Sequence, residues 1–168
     1  MQIGLFPNED GRLVIDSERL AQFASLLKGG GTAFKIVPNI QAFRWEKVVW
    51  NAAWNSLTTL TLMDTHTWLS SSHDAIHITR RLMTEVIDVA RGMGVMIEYN
   101  LIEEFLVKIQ SLPPMGTSMR TDLEHGKPIE VEMILGYPIQ MGRKLGLSIP
   151  TIEVIYVILT AINKRLLG

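Results

Sequence analysis

The chain has 168 residues, 47% of them apolar and 20% charged, with a formal net charge of -1 and no cysteine. That is enough apolar material to build one packed domain of ordinary size, and it excludes intrinsic disorder. Disulfide and thiolate chemistry are excluded, and the lack of any Lys/Arg run argues against a nucleic-acid surface. The start, MQIGLFPNEDGR, lacks the basic and apolar regions of a signal peptide. The longest apolar stretch, near Ile152 to Ile162, is interrupted by Glu153 and Thr160 and is too short to span a bilayer. A cytoplasmic location is the expectation.

Residues 1 to 40 read as strand, helix, strand. Gln2 to Phe6 is a strand candidate. Asp16-Ser17 is placed to cap a helix from about Glu18 to Leu27. Gly29-Gly30-Gly31 stops it, and Ala33 to Val37 reads as a second strand. The unit is too small to be a domain and looks like the last piece of an α/β domain. From Ile40 onward the pattern is helical. The first helix runs from Phe43 to Leu62, and a second, capped by Ser70-Ser71-Ser72, reaches about Arg91 and is ended by Gly92 and Gly94. A third spans roughly Ile97 to Ile109, where Pro113-Pro114 follow. Ser118 to Glu124 makes one or two turns. Another helix starts near Ile129 and is bent or interrupted around Gly136 and Pro138. Pro150-Thr151 opens the last, to about Leu166.

The helix FRWEKVVWNAAWNSLTTLTL is apolar on nearly every side except one. Lys47, Asn51 and Asn55 fall four residues apart, and each step of four rotates by only about 40°. One ammonium and two amides therefore share a stripe. A buried ammonium is costly unless paired, so Lys47 is expected to have a partner, its own acid or a ligand. A buried lysine has a lowered pKa and can act as a proton donor near neutral pH. Asparagines beside it can hold hydroxyls or a carboxylate without adding charge. The structural alternative is a lysine that snorkels to water while the amides satisfy loop backbone.

A second candidate is PPMGTSMRTDLEHGKPIEVE, from Pro113 to Glu132. Ser118 sits near a helix start, where it either receives an anion or is an ordinary N-cap. Glu130 heads an apolar helix and either suits that helix's dipole or is the counter-charge of Lys47. Three look-alikes are set aside. His73-Asp74-Ala75-Ile76-His77 lacks the glutamate and third ligand of a zinc-protease helix, so no metal is expected. Gly92-Met93-Gly94 follows a helix, not the strand a dinucleotide fingerprint requires, and Gly29-Gly30-Gly31-Thr32 lacks the lysine of a phosphate loop.

WEKVVWNAAWNSLTTL, followed about sixty residues later by SMRTDLEHGKPIEVEMILG and GRKLGLSIPT, resembles the ketopantoate reductase (2-dehydropantoate 2-reductase) family. The Lys/Asn/Asn spacing is shared in part with other β-hydroxyacid dehydrogenases; the Ser-Met-x-x-Asp block ending in glutamate is more specific. The resemblance implies a mainly α fold, a helical C-terminal domain of the 6-phosphogluconate dehydrogenase-like type over residues 41–168. Residues 1–40 would be the α/β remnant of a Rossmann domain. It implies NADPH-dependent reduction of a 2-keto acid, with Lys47 as general acid, Asn51, Asn55 and Ser118 on substrate, and Glu130 facing cofactor and substrate. Asp122 also matches, with a structural role. The partners implied are a small 2-keto acid, the missing Rossmann domain and a homodimer mate, with no nucleic acid and no membrane. Departures are Thr121 for the family's frequent Gln, Glu132 for Asp, Leu135 for Asn, and Met63-Asp64-Thr65 where some members carry an asparagine. No strand followed by G-x-G-x-x-G occurs, so NADP is expected to bind mainly outside this chain, which alone should be inactive. The alternatives are a related β-hydroxyacid dehydrogenase domain or a non-catalytic helical dimerisation or binding module.

Overall fold

The computed structural model of the chain describes residues 1–5 and 13–167. Two compact units are formed, Met1–Arg44 and Trp45–Gly168.

In the first unit, strands β1 (Gln2–Ile3) and β2 (Lys35–Ile36) lie parallel, with Gln2 opposite Lys35 and Ile3 opposite Ile36. Parallel neighbours need a crossover, and helix α1 (Leu13–Gly29) provides it. Both strands are shorter than the runs read as strands, and among the described residues each pairs only with the other; Phe6 lies outside those residues. Asp16 and Ser17 fall inside α1 instead of ahead of it, a weak cap signal overridden by an earlier helical start. The stop is where the glycines place it. Gly31 adopts φ +69°, its N–H donates to the Lys28 carbonyl, and the Thr32 N–H reaches back to Leu27. This pair of bonds is the Schellman closure, which needs a left-handed residue and so favours glycine. Gly94 (φ +81°) closes the fourth helix in the same way, with Gly94 N–H on Arg91 and Val95 N–H on Ala90.

Helix α2 (Ile40–Thr61) starts behind Asn39, whose Oδ1 accepts from the backbone N–H groups of Gln41 and Ala42 at 3.0 and 3.2 Å. The helical unit continues with α3 (Thr65–Ser70), α4 (Ala75–Gly92), α5 (Asn100–Ser111) and α6 (Ser118–Glu124). A π-helical turn, Glu132–Gly136, then runs directly into α7 (Tyr137–Lys144), and α8 (Pro150–Leu167) ends the described chain. The π-turn is the expected interruption: Pro138 has no N–H to donate, and the Tyr137 N–H reaches back five residues to Glu132. Helix α3 was not foreseen. Asp64 builds it, its Oδ1 accepting from His66 and Thr67 N–H at 2.9 Å each.

The core gathers around α4, whose Leu82, Met83, Val86, Ile87, Val89 and Ala90 are wholly buried. Against it lie α7, α8, α3 and α5. Gly142 permits the close approach of α7, since a Cβ there would press on Ile149 and Val89. Among the described residues, one charged side chain enters this core. Glu85 is 5% exposed, and its two carboxylate oxygens accept the N–H groups of Thr151 and Ile152 at 3.0 and 2.9 Å. It caps α8 from a different helix, with its negative charge against the positive end of the α8 dipole.

Candidate active site

Helix α2 carries the polar stripe, but only part of it meets the core. Lys47 is exposed, Asn51 and Asn55 are half-buried, and Thr59, the next step of four, is fully buried. Four-residue steps drift by about 40° each. Over three steps the stripe turns by roughly 120°, from the open side of the helix into its packed side. Lys47 is thus not buried within this chain, which corrects the expectation drawn from its apolar neighbours. Those neighbours are split: Trp45 and Val49 pack inward, while Lys47 lies on another side of the same turns. No described side chain hydrogen-bonds or ion-pairs with Lys47, Asn51 or Asn55. Thr59 Oγ1 and Ser56 Oγ are buried without a hydrogen-bond partner.

One turn beyond Asn55, Thr58 ties α2 to the Ser118 segment. The Thr58 hydroxyl donates to the Trp54 carbonyl at 2.7 Å and stands 2.8 Å from the Thr117 hydroxyl. With the Thr58 proton committed to Trp54, Thr117 is the donor between the two hydroxyls. Thr117 Oγ1 in turn accepts the Arg120 N–H at 3.3 Å. The cap of α6 is therefore Thr117, and Ser118 is the first helical residue, exposed. This corrects the N-cap reading of Ser118: the buried neighbour with a fixed partner on α2 takes the capping position. A second tether, Thr65 N–H to Met115 C=O at 3.2 Å, holds the Pro/Gly-rich loop at the same end of α2.

Glu130 precedes the π-turn and is exposed; its carbonyl accepts the Ile134 N–H at 3.2 Å. It makes no ion pair with Lys47, so it is not that residue's counter-charge in this chain. The segment it heads does return to α2. Tyr137, seven residues on, packs its ring on Trp45, with centroids 6.1 Å apart and planes tilted by 40°. Ser118 and Glu130 thus belong to segments that meet α2 near opposite ends, at Thr58 and Trp45. These anchor points are separated by roughly 20 Å of helix axis, with the stripe between them. The Ile129 N–H donates to Asn163 Oδ1 on α8 at 2.9 Å, fixing the approach to Glu130.

Thr58, Thr117 and Glu85 were missed as candidates. The run Ser56, Thr58, Thr59, Thr61 on an apolar helix carried the signal for the first, and a lone glutamate on the apolar face of α4 the signal for the last. His73 and His77 are both exposed at the start of α4, their rings 5.3 Å apart. Among the described residues no three His, Cys, Asp or Glu side chains gather as metal ligands, and no helix is long and apolar enough to cross a membrane.

The helical unit has the fold of the C-terminal domain of PanE/ApbA-type reductases. The chain belongs to the ketopantoate reductase family: the family described as ketopantoate reductase PanE/ApbA C terminal matches residues 39–163. The chain is 27% identical over 140 residues to the 2-dehydropantoate 2-reductase of a Nostoc species, covering 83% of this chain and 44% of that one. The crystal structure of 2-dehydropantoate 2-reductase from Methylococcus capsulatus superposes with a TM-score of 0.79 at 33% identity, over 89% of this chain and 51% of that one. A ketopantoate reductase from Staphylococcus aureus, described as dimeric, superposes with a TM-score of 0.75 at 26% identity, over 98% of this chain and 55% of its own. The chain thus spans about half the length of the relatives it matches.

Proposed function

We propose that the chain is the substrate-side half of an NADPH-dependent 2-keto acid reductase that converts ketopantoate to pantoate. Residues 1–40 are the end of its nucleotide-binding domain and residues 41–168 the catalytic helical domain. The observation that carries this reading is the stripe: an ammonium and two amides on one helix of a ketopantoate reductase domain, with no described side chain satisfying them. Groups left this way are open to water and to a ligand alike.

The sequence contains no strand followed by a G-x-G-x-x-G turn, so NADP is held mainly by a domain outside the chain, with Glu130 as the contact from this side. NADPH supplies the hydride when bound. Negative charge then develops on the ketone oxygen, and Lys47 delivers a proton there as general acid. Asn51 and Asn55 orient the substrate through amide hydrogen bonds, and Ser118 donates to its carboxylate. The working enzyme is cytoplasmic, and its mate is a second copy.

The test is steady-state kinetics on the chain joined to its upstream nucleotide-binding domain. Lys47→Ala is expected to lower turnover by about 10²–10⁴-fold without unfolding the protein. Lys47→Arg is not expected to restore it, because a guanidinium scarcely releases a proton. Near-wild-type turnover in Lys47→Ala would instead make the stripe structural and favour a non-catalytic binding module. The isolated 168-residue chain is expected not to bind NADPH at micromolar concentration by calorimetry.

A further inference from the structure

Three hydrogen bonds in a row join the backbone of α6 to the backbone of α2. The Arg120 N–H donates to Thr117 Oγ1 at 3.3 Å, the Thr117 hydroxyl donates to Thr58 Oγ1 at 2.8 Å, and the Thr58 hydroxyl donates to the Trp54 carbonyl at 2.7 Å. Every proton in the row points from α6 toward α2, so neither hydroxyl is free to turn to another partner. Thr58 is fully buried and Thr117 nearly so, and a buried hydroxyl that loses its partner is costly. The Thr117 carbonyl is engaged as well, accepting the Thr121 N–H at 3.0 Å and the Thr121 hydroxyl at 3.1 Å. On the other side of Ser118, Met119 is buried in the core. Ser118 is thus exposed between two anchored neighbours, and among the described residues its hydroxyl has no partner. Its backbone is held from both sides while its side chain stays open. Thr58 lies three residues past Asn55 on the same helix, about 4.5 Å along the axis. The row of bonds therefore fixes Ser118 against the Asn55 end of the stripe.

We propose that Thr58 is a positioning residue. Acting through Thr117, it sets where the Ser118 hydroxyl stands relative to Asn55, and so how well the carboxylate of the keto acid is held. This rests on the proposal above that Ser118 donates to that carboxylate. Thr58 is buried and touches no substrate. The carboxylate takes no part in the hydride or the proton transfer. A contact to it therefore strengthens the bound substrate and the transition state alike, and weakening it raises KM while leaving kcat in place. General support of the fold has no reason to produce that split.

Steady-state kinetics on the chain joined to its upstream nucleotide-binding domain tests it, with ketopantoate varied at saturating NADPH. Ser118→Ala is expected to raise KM for ketopantoate by about 10- to 100-fold, as for a lost hydrogen bond to a charged group. Thr58→Val should raise it by about 5-fold or more, with kcat within about threefold of wild type and NADPH affinity unchanged. Thr58→Ser keeps the hydroxyl and should return KM to within about twofold of wild type. In the Ser118→Ala background Thr58→Val should add no more than about twofold, because nothing is left to position. Circular dichroism at the assay temperature checks that each variant is folded, and Thr117→Val, which removes the donor from the other side, stands in for Thr58→Val if the latter does not fold. A wild-type KM in the Val variant, a fall in kcat with KM held, or effects of Thr58→Val and Ser118→Ala that multiply in full each overturn the proposal. Loss of turnover in Lys47→Ala beside an indifferent Thr58→Val overturns the positioning role alone. A wild-type enzyme that does not reduce ketopantoate overturns the proposed reaction and this role together.

Discussion

Thr58 and Thr117 are joined by a buried hydroxyl–hydroxyl contact of 2.8 Å across 59 residues of sequence. Through it the helix that carries the lysine–amide stripe sets the first turn of the helix that begins at Ser118. Replacing Thr58 by Val keeps the shape but removes the acceptor. The buried Thr117 hydroxyl then loses its partner, at a cost of about 1–3 kcal/mol. Thr58→Ser should retain most of the stability. Urea unfolding of the two variants measures the difference, and equal midpoints would show that the contact holds nothing in place.

Glu85 is expected to be the most sensitive charged residue of the helical unit. Its carboxylate accepts the first free N–H groups of α8, at Thr151 and Ile152. Glu85→Ala leaves both donors without a partner inside the protein and opens a void beside α4. A loss of about 2–4 kcal/mol follows. Glu85→Gln keeps one acceptor and should lose less. Thermal melts of the two variants rank them, and the reverse order would remove the capping role.

Asp64 links stability to pH. The Thr67 hydroxyl and backbone N–H, followed by the His66 N–H, hold its carboxyl below the usual carboxylate range. The folded state therefore releases this proton more readily than the unfolded chain does. The contribution is complete above the unfolded value of about 3.9 and is lost as pH falls through the lower folded value. Asp64→Ala should accordingly melt earlier than wild type at pH 7, by about 1 kcal/mol of cap stability. The gap should close in strong acid. Arg80 holds Glu103 low in the same sense, chiefly through its hydrogen bonds, so the acid limb of the wild-type curve contains both groups. A gap that stays constant from neutral pH to strong acid would detach Asp64 from the acid limb.

Leu62, just past the end of α2, has φ +56° and is the non-glycine residue with positive φ among those described. The left-handed region costs an ordinary residue about 1–2 kcal/mol. Leu62→Gly relieves this at the expense of a more flexible unfolded chain, and its half-exposed side chain contributes little packing. It is expected to leave stability level or raise it by roughly 0.5 kcal/mol. Leu62→Val, β-branched, should lower it by about 1 kcal/mol. Denaturation midpoints on both variants check the order.

Lys47→Ala should change stability of the isolated chain by no more than about 0.5 kcal/mol, as for a surface position without partners. A large loss on calorimetric melting would mean that the lysine supports the fold, and the stripe could not then be reserved for a ligand.

Sequence alone determined most of the element types, though not the short helix α3 that Asp64 starts. Strand–helix–strand then helices follows from apolar period and punctuation, and the glycines at 31 and 94 end their helices because only a residue at ease with positive φ completes the closing hydrogen bonds. It also determined the family, since the lysine–amide spacing and the Ser118-to-Glu130 block are local strings. Tertiary structure alone decided exposure and partnership. A four-residue spacing says that Lys47, Asn51, Asn55 and Thr59 are neighbours, but the slow drift of that spacing around the helix puts the first in the open and the last in the core. Likewise nothing local distinguishes Thr117 from Ser118 as a cap, or makes Glu85 the cap of a helix 66 residues away. Those choices depend on which backbone groups the packing of other helices brings within hydrogen-bond reach, and that information is not local in the chain.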